Sequence, residues 1–315
     1  MAPWTFLHIA DLQPGSPRSF RYRPAWRDNW ETAQAQIAAL QPELLLVGGD
    51  LTADGWLHGW ELAEVCTELD ALPCPWHAVP GNMDTGNKHT DRNGAWWPER
   101  RDVDLNVTSA QLQRFAGIAG PLQWSFVHRQ VRFSGFFGAV AGSGLPEEAA
   151  MWRWLAGLAG LAVLPRARYH VMLMHYALFM DRPGEPSWDI ADPDQYLPWY
   201  FTIDAPHRRR MLDAFHAAGV TEVISGHIHC RRRDLFEDIV FQKAPALCFP
   251  QMAEYWPDAH PALGFLRYEV ADAGLSATFV PLARLSRRQG YGPSGHPRPD
   301  QIDTSLAWER PPDEA

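Results

Sequence analysis

Glu43-Leu44-Leu45-Leu46-Val47-Gly48-Gly49-Asp50 is the stretch that decides the fold. A short apolar run that stops at paired glycines and a carboxylate reads as a buried strand delivering an acid into a loop. The same arrangement recurs on both sides. Upstream, Trp4 to Ala10 reads as a strand ending in Asp11, followed by a loop rich in Gly, Pro and Ser as far as Pro24. Downstream, Trp76 to Val79 runs into Pro80-Gly81-Asn82-Met83-Asp84. Between them, Trp26, Trp30, Ala33, Ile37 and Leu40 recur at helical spacing, and Pro42 stops that helix. Leu57 to Leu69 reads as a second amphipathic helix, with Trp60, Ala63 and Leu72 near its inner face. Strand, helix, strand, helix, strand implies parallel strands joined by right-handed crossovers. Ligands of such sheets sit beyond the carboxyl ends of the strands.

The second half reads differently. Trp124 to His128 and Val131 to Val140 predict an antiparallel pair, Glu147 to Leu161 a helix, and Tyr169 to Met174 a strand ended by His175. The connection from Tyr176 to Ala205 is dense in Pro, Trp, Tyr and Asp, and a connection of that length is usually functional. His207 to Ala218 reads as a helix, and Val220 to Ser225 as a strand running into Gly226-His227-Ile228-His229. Leu235 to Gln242, Gly264 to Val270 and Leu275 to Pro281 read as further strands.

Hydrophobic residues make up 46% of the 315 positions and charged residues 21%, enough apolar side chain for one large core. A net charge of −9 argues against non-specific nucleic-acid binding, which depends on neutralising phosphates. Cys66, Cys74, Cys230 and Cys248 are too scattered for a disulfide scaffold. No signal peptide and no membrane-spanning run is read, so a cytoplasmic protein without membrane or nucleic-acid partners is expected. Nothing in the sequence fixes an oligomeric state. The expected division is a domain over 1–283 and a loose or wrapping tail over 284–315.

The polar residues at the strand ends form a set: Asp11 with Gln13, Asp50, Asn82 with Asp84, His175, and His227 with His229. Each alone is an ordinary turn former or cap. Together, at the ends of neighbouring strands, they suggest a metal centre. Oxygen and imidazole donors in this mix suit Mn, Fe or Zn rather than Ca.

The order Asp-x-Gln, Gly-Gly-Asp, Gly-Asn-Met-Asp, a lone His and Gly-His-Ile-His resembles the calcineurin-like metallophosphoesterases over about residues 5 to 230. The resemblance implies a four-layer α/β/β/α sandwich carrying two divalent or trivalent ions. Asp11 and His229 would bind the first ion and Asp50 would bridge. Asn82, His175 and His227 would bind the second, and Asp84 would orient the site. Catalysis would fall to Asp50, Asn82, Asp84 and His175, with a bridging hydroxide attacking a small phosphorylated substrate. Two divalent cations against Asp11, Asp50 and one hydroxide leave a charge of about +1, which attracts an anion.

Two positions depart from the family pattern. Gln13 stands where the family usually has a His ligand. An amide oxygen is the harder donor, which favours Mn or Fe and leaves Zn possible. The Asp-x-Gln form is similar to the manganese-dependent ADP-ribose/CDP-alcohol diphosphatases. Met83 stands where the family often has the His that protonates the leaving oxygen, and a thioether cannot donate a proton. Leaving groups that need little protonation are therefore expected. His58 and His89 are the nearest replacements by sequence.

Lys88, His89 and Arg92 follow the Asn82 block and are expected at the mouth of the site, where Trp96 and Trp97 could stack on a ring. Trp188, Tyr196, Trp199, Tyr200 and Phe201 read equally as lid or core. Arg231-Arg232-Arg233 reads as a solvated strand edge, and Trp152 and Trp154 as core. The alternatives are a phosphomonoesterase or cyclic-nucleotide phosphodiesterase with the same centre, or a non-catalytic module that keeps the fold.

Overall fold

The computed structural model describes residues 2–19, 21–94, 101–161 and 167–290. Its first half contains β1 (Trp4–Ile9), α1 (Pro24–Leu40), β2 (Leu44–Val47), α2 (Gly59–Asp70), β3 (Trp76–Ala78), the one-turn α3 (Asn82–Thr85) and α4 (Ser109–Ile118). There follow β4 (Gln123–His128), β5 (Val131–Phe136), α5 (Pro146–Leu161), β6 (Tyr169–Met174), the short α6 (Tyr196–Phe201) and α7 (Ala205–Ala217). The chain then forms β7 (Glu222–Ser225), β8 (Arg232–Phe236), β9 (Ile239–Lys243), β10 (Gly264–Ala271) and β11 (Gly274–Pro281).

The strands make two mixed sheets, in the orders β11-β10-β1-β2-β3 and β4-β5-β6-β7-β9-β8. β1, β2 and β3 are parallel, as the strand–helix alternation requires. Alternate side chains of each strand then enter different layers. Phe6, Leu44, Leu46, Val171 and Leu173 meet between the sheets. Leu7, Ile9, Leu45 and Val47 pack with Trp30, Ala33 and Ile37 of α1 and with Leu62 and Val65 of α2. Met172 and Met174 pack with Met151 and Leu155 of α5 and with Met211 and Phe215 of α7. The result is a four-layer α/β/β/α sandwich. Each such side chain contributes about 1.5–3 kcal/mol by leaving water.

Two local readings change. The strand expected over Leu235 to Gln242 is a hairpin, β8 and β9, which turns where Glu237 takes a φ of 52°. Helix α4 has no counterpart in the sequence reading. It carries a capping box, in which Gln111 N–H donates to Thr108 Oγ1 and Thr108 N–H to Gln111 Oε1. Trp152 and Trp154 join the core as expected. The four cysteines are free and buried. Among the described residues no helix is long and apolar enough to cross a membrane. The start of the expected tail lies along α1: Ser286 Oγ donates to Asp28 at 2.6 Å, and Ser286 N–H to Asn29 at 3.0 Å. Its remainder, 291–315, falls outside the described residues, as do Trp96 and Trp97.

One buried acid joins the two sheets. Glu222 of β7 accepts a hydrogen bond from Tyr268 Oη of β10 at 2.7 Å. Burial pushes the Glu222 carboxyl up to about 7, against the pull of the Tyr268 hydrogen bond. Between about pH 4.5 and 7 the folded chain holds a proton that the unfolded chain has lost. Stability from this group is therefore complete at low pH and fades as pH rises through 7. Glu222→Gln should remove that dependence. In urea unfolding, its advantage over the wild type should grow from pH 5 to pH 8 towards about 3 kcal/mol.

Candidate metal centre

Every residue of the set sits at a carboxyl end of a parallel strand. Asp11 and Gln13 follow β1, Asp50 follows β2, and Asn82 opens α3 after β3. His175 follows β6, and His227 and His229 follow β7. The two sheets thus bring their loops to one edge of the sandwich. Five of these residues hold left-handed backbone: Asp11 at φ 55°, Gln13 at 44°, Asp50 at 51°, His227 at 67° and His229 at 57°. Such conformations cost a non-glycine residue roughly 1–3 kcal/mol each and persist only where surrounding bonds impose them. Here Asp11 N–H donates to Gly49 O at 3.0 Å and Leu12 N–H to Asp50 O at 2.9 Å.

The side chains converge. One ligand atom from each of Asp50, His175 and His227 lies within 4.8 Å of the others, and the same holds for Asp11, Asp50 and His229. Asp50 is common to both groups, as a bridging ligand must be. Asn82 Oδ1 stands 3.2 Å from His175 Nε2, beside the first group. Gln13 Nε2 donates to Asp50 Oδ2 at 2.9 Å. His175 Nδ1 donates to Gly48 O at 2.7 Å and His229 Nδ1 to Phe249 O at 2.8 Å, which leaves both Nε2 atoms for the centre. His227 is held the other way, with Nε2 on Tyr200 O at 3.1 Å, so Nδ1 is its coordinating end.

The electrostatics suit cations. Burial alone would lower His175, but Asp50 at 3.3 Å outweighs it and pushes the imidazole up to about 9. His229 is likewise held well above its usual value, with Asp11 at 3.1 Å overcoming burial. His227 falls well below its usual value through burial and the charge of His175. A buried cluster of carboxylates that draws protons onto two neighbouring rings, with amide and imidazole donors around it, fits a pair of metal ions.

Asp84, expected to orient the site and to share in catalysis, is bound into the surrounding loops. Its carboxylate accepts N–H bonds from Gly81, Leu51 and Thr52 and the Thr52 hydroxyl, tying the β2 and β3 loops together. Burial and the charge of Asp50 push it up to about 7.

A cleft of about 290 Å³ opens on the centre, lined by Gln13, Asp50, Asn82, His227 and His229. The three expected substrate contacts are elsewhere. Lys88 is buried, with Nζ donating to Thr202 O and Asp204 and lying 4.6 Å from the Trp199 ring. Arg92 pairs with Asp189 on the surface, and His89 is exposed and does not line the cleft. The reason is that the chain after Asn82 turns under the Tyr176–Ala205 connection instead of over the centre. His58 packs on Trp60 and does not line the cleft either. Arg231, Arg232 and Arg233 run into edge strand β8 as read, but Arg232 is not solvated: its side chain is 15% exposed and pairs with Asp181 and Asp234.

Arg21, Trp26, Met83, Tyr196, Leu197, Tyr200, Phe201, Phe249 and Gln251 complete the lining. Tyr200 also receives Asn82 Nδ2 on its hydroxyl at 3.0 Å, so the long connection reaches the centre through α6. Trp199 is core. The sequence offered signals for Arg21 and Trp26, an Arg-Tyr-Arg run and a helix-face Trp after Asp11, but the loop's path onto the cleft is a property of the fold.

The family model of the calcineurin-like phosphoesterases matches residues 5–231. No curated protein matches the sequence. Among solved structures, the purple acid phosphatase PPD1 of yellow lupin seeds aligns with a TM-score of 0.61 at 12% identity, over 91% of this chain and 53% of its own. This chain thus spans about half the length of the lupin protein. GAP50, the anchor in the inner membrane complex of Plasmodium, aligns at 0.55 with 13% identity over 91% and 87%. A dimetal phosphatase of Danio rerio aligns at 0.51 with 15% identity over 89% and 99%. At these identities the alignments bear on the fold. With the family model matched over 5–231 of the 315 residues, the chain belongs to the calcineurin-like phosphoesterases.

Proposed function

We propose that the protein hydrolyses a small phosphate ester or diphosphate at a dinuclear centre held by Asp11, Gln13, Asp50, Asn82, His175, His227 and His229. The observation that carries this reading is the pair of three-residue groups sharing Asp50. Two bound cations would supply an acidified water as nucleophile and would withdraw charge from the phosphoryl oxygens. The chain's own part is to hold those cations, to present His175 and Asn82 to the phosphoryl group, and to seat the leaving half in the cleft. GAP50 carries the same fold as an anchor, so the fold alone does not argue for catalysis; the buried donor set does.

Gln13 reaches the centre as a ligand when its amide is turned to present Oε1, and this supports Mn or Fe over Zn. Gln13→His should shift metal preference towards Zn, read by competitive Mn and Zn titration followed by metal analysis; an unchanged preference would remove Gln13 from the ligand set. The similarity of the Asp-x-Gln form to ADP-ribose/CDP-alcohol diphosphatases is a reason to include diphosphates among the substrates tested. The deciding experiment is metal analysis of the purified protein with an Mn-supplemented screen over diphosphates, monoesters and cyclic diesters. Two ions per chain with turnover of any class supports the hydrolase. A chain that takes up no ions is a binding module.

A further inference from the structure

We propose that Arg21 contacts the substrate and holds the departing half of a phosphoanhydride, taking over by charge what Met83 cannot do by proton transfer. The inference rests on the dinuclear hydrolase reading and adds to it the residue that selects the leaving group.

Asp54 is fully buried and holds Arg21 at two points: the backbone N–H donates to Oδ2 and Nε to Oδ1, both at 2.6 Å. The Nε edge of the guanidinium is thereby fixed. Its other end reaches the cleft, where Nη1 lies 3.4 Å from Met83 Sδ. About a third of the side chain remains exposed. Met83 directly follows Asn82, and Asn82 Nδ2 is itself 3.4 Å from the same sulfur. The guanidinium therefore lies over the position from which a leaving-group acid would act.

A guanidinium does not give up its proton in a protein, so Arg21 is no replacement acid. It stabilises a leaving group that departs as an anion, and its planar fork matches a phosphate. Near it, Trp26 and Phe249 stack at 4.8 Å, and Tyr196 and Tyr200 form a second parallel pair. These apolar faces suit a planar ring on the departing half. The substrate class is thus a diphosphate bearing a ring, as in a nucleoside diphosphate. In the reaction one water is consumed. Its oxygen bonds to phosphorus, the anhydride P–O bond breaks, and the bonding pair leaves on the second phosphate. The protons of water are shared between the two phosphate products and solvent.

The test compares wild type, Arg21→Met and Arg21→Lys on ADP and on p-nitrophenyl phosphate, whose leaving group needs no proton and carries no second phosphate. Arg21→Met should lose roughly 10–100-fold in kcat/KM on ADP, lose clearly less on p-nitrophenyl phosphate, whose phenolate offers the guanidinium one oxygen instead of a phosphate's several, and keep its metal content. Arg21→Lys should fall between. Apart from turnover, affinity for the non-hydrolysable α,β-methylene analogue of ADP, measured by calorimetry, should weaken by a similar factor. Equal losses on both substrates, or none on ADP, would overturn the role of Arg21, as would a wild type active on the aryl ester and inactive on ADP. A wild type that carries two ions and turns over neither substrate likewise overturns the role of Arg21, and one that turns over no diphosphate, monoester or cyclic diester overturns the hydrolase reading itself.

Discussion

Asp50→Asn is expected to leave a folded chain that retains fewer than two ions and turns over substrate more than about 10³-fold more slowly. Asp50 is the one member of both ligand groups, so its loss takes a charged donor from each. Asn keeps the shape. It can accept from Met83 N–H as Asp50 does at 2.8 Å, so the loop after β2 should survive. What changes is charge: the negative centre that raises His175 is gone, and two cations lose the anion between them. The checks are metal content, kcat/KM at saturating Mn, and a circular dichroism spectrum like that of the wild type. Turnover within tenfold of wild type would mean that the bridge is misassigned.

Gly81→Ala should be the most damaging single methyl group in the protein. Gly81 has φ −106° and ψ −178°, extended backbone open to any residue, so conformation is no obstacle. The obstacle is space. A Cβ there would run into the Asp50 carboxylate and the Asp50 amide nitrogen, groups that cannot swing aside. The β3 loop would have to retreat, taking Asn82 and Met83 with it. A stability loss of about 1–3 kcal/mol is expected, with loss of the second ion. Thermal unfolding with and without added Mn reads both effects: the rise in midpoint that Mn should give the wild type should shrink in the variant. A variant that binds two ions at wild-type affinity would show that the strand end is softer than its packing.

Much of this was legible in the sequence because one rule governs it. Apolar runs of strand length end in donors, and parallel strands put their ends side by side; Asp11, Asp50, Asn82 and His175 followed from that alone. The His227 and His229 pair followed from the same rule, since both lie just past β7. Lys88 and Arg92 misled because adjacency in sequence was taken for adjacency in space. The loop after Asn82 turns inward, and the Lys88 ammonium is neutralised by Asp204. Arg21 and Trp26 were hidden for the converse reason: Arg21 reaches the centre from a loop tied to the Asp54 carboxylate, 33 residues away in the chain, and Trp26 from the first turn of α1. The hairpin of β8 and β9 was missed because Glu237 and Asp238, the polar pair at the turn, sit inside an otherwise strand-like run.

The left-handed corners at Asp11, Gln13, Asp50, His227 and His229 set heat resistance and catalysis at odds. Glycine would relax any of them, since it alone adopts that geometry without penalty. A library ranked only by survival on warming would drift to glycine there and discard the donors one after another. Engineering for robustness should therefore freeze these five codons first and seek its gains on the helical faces.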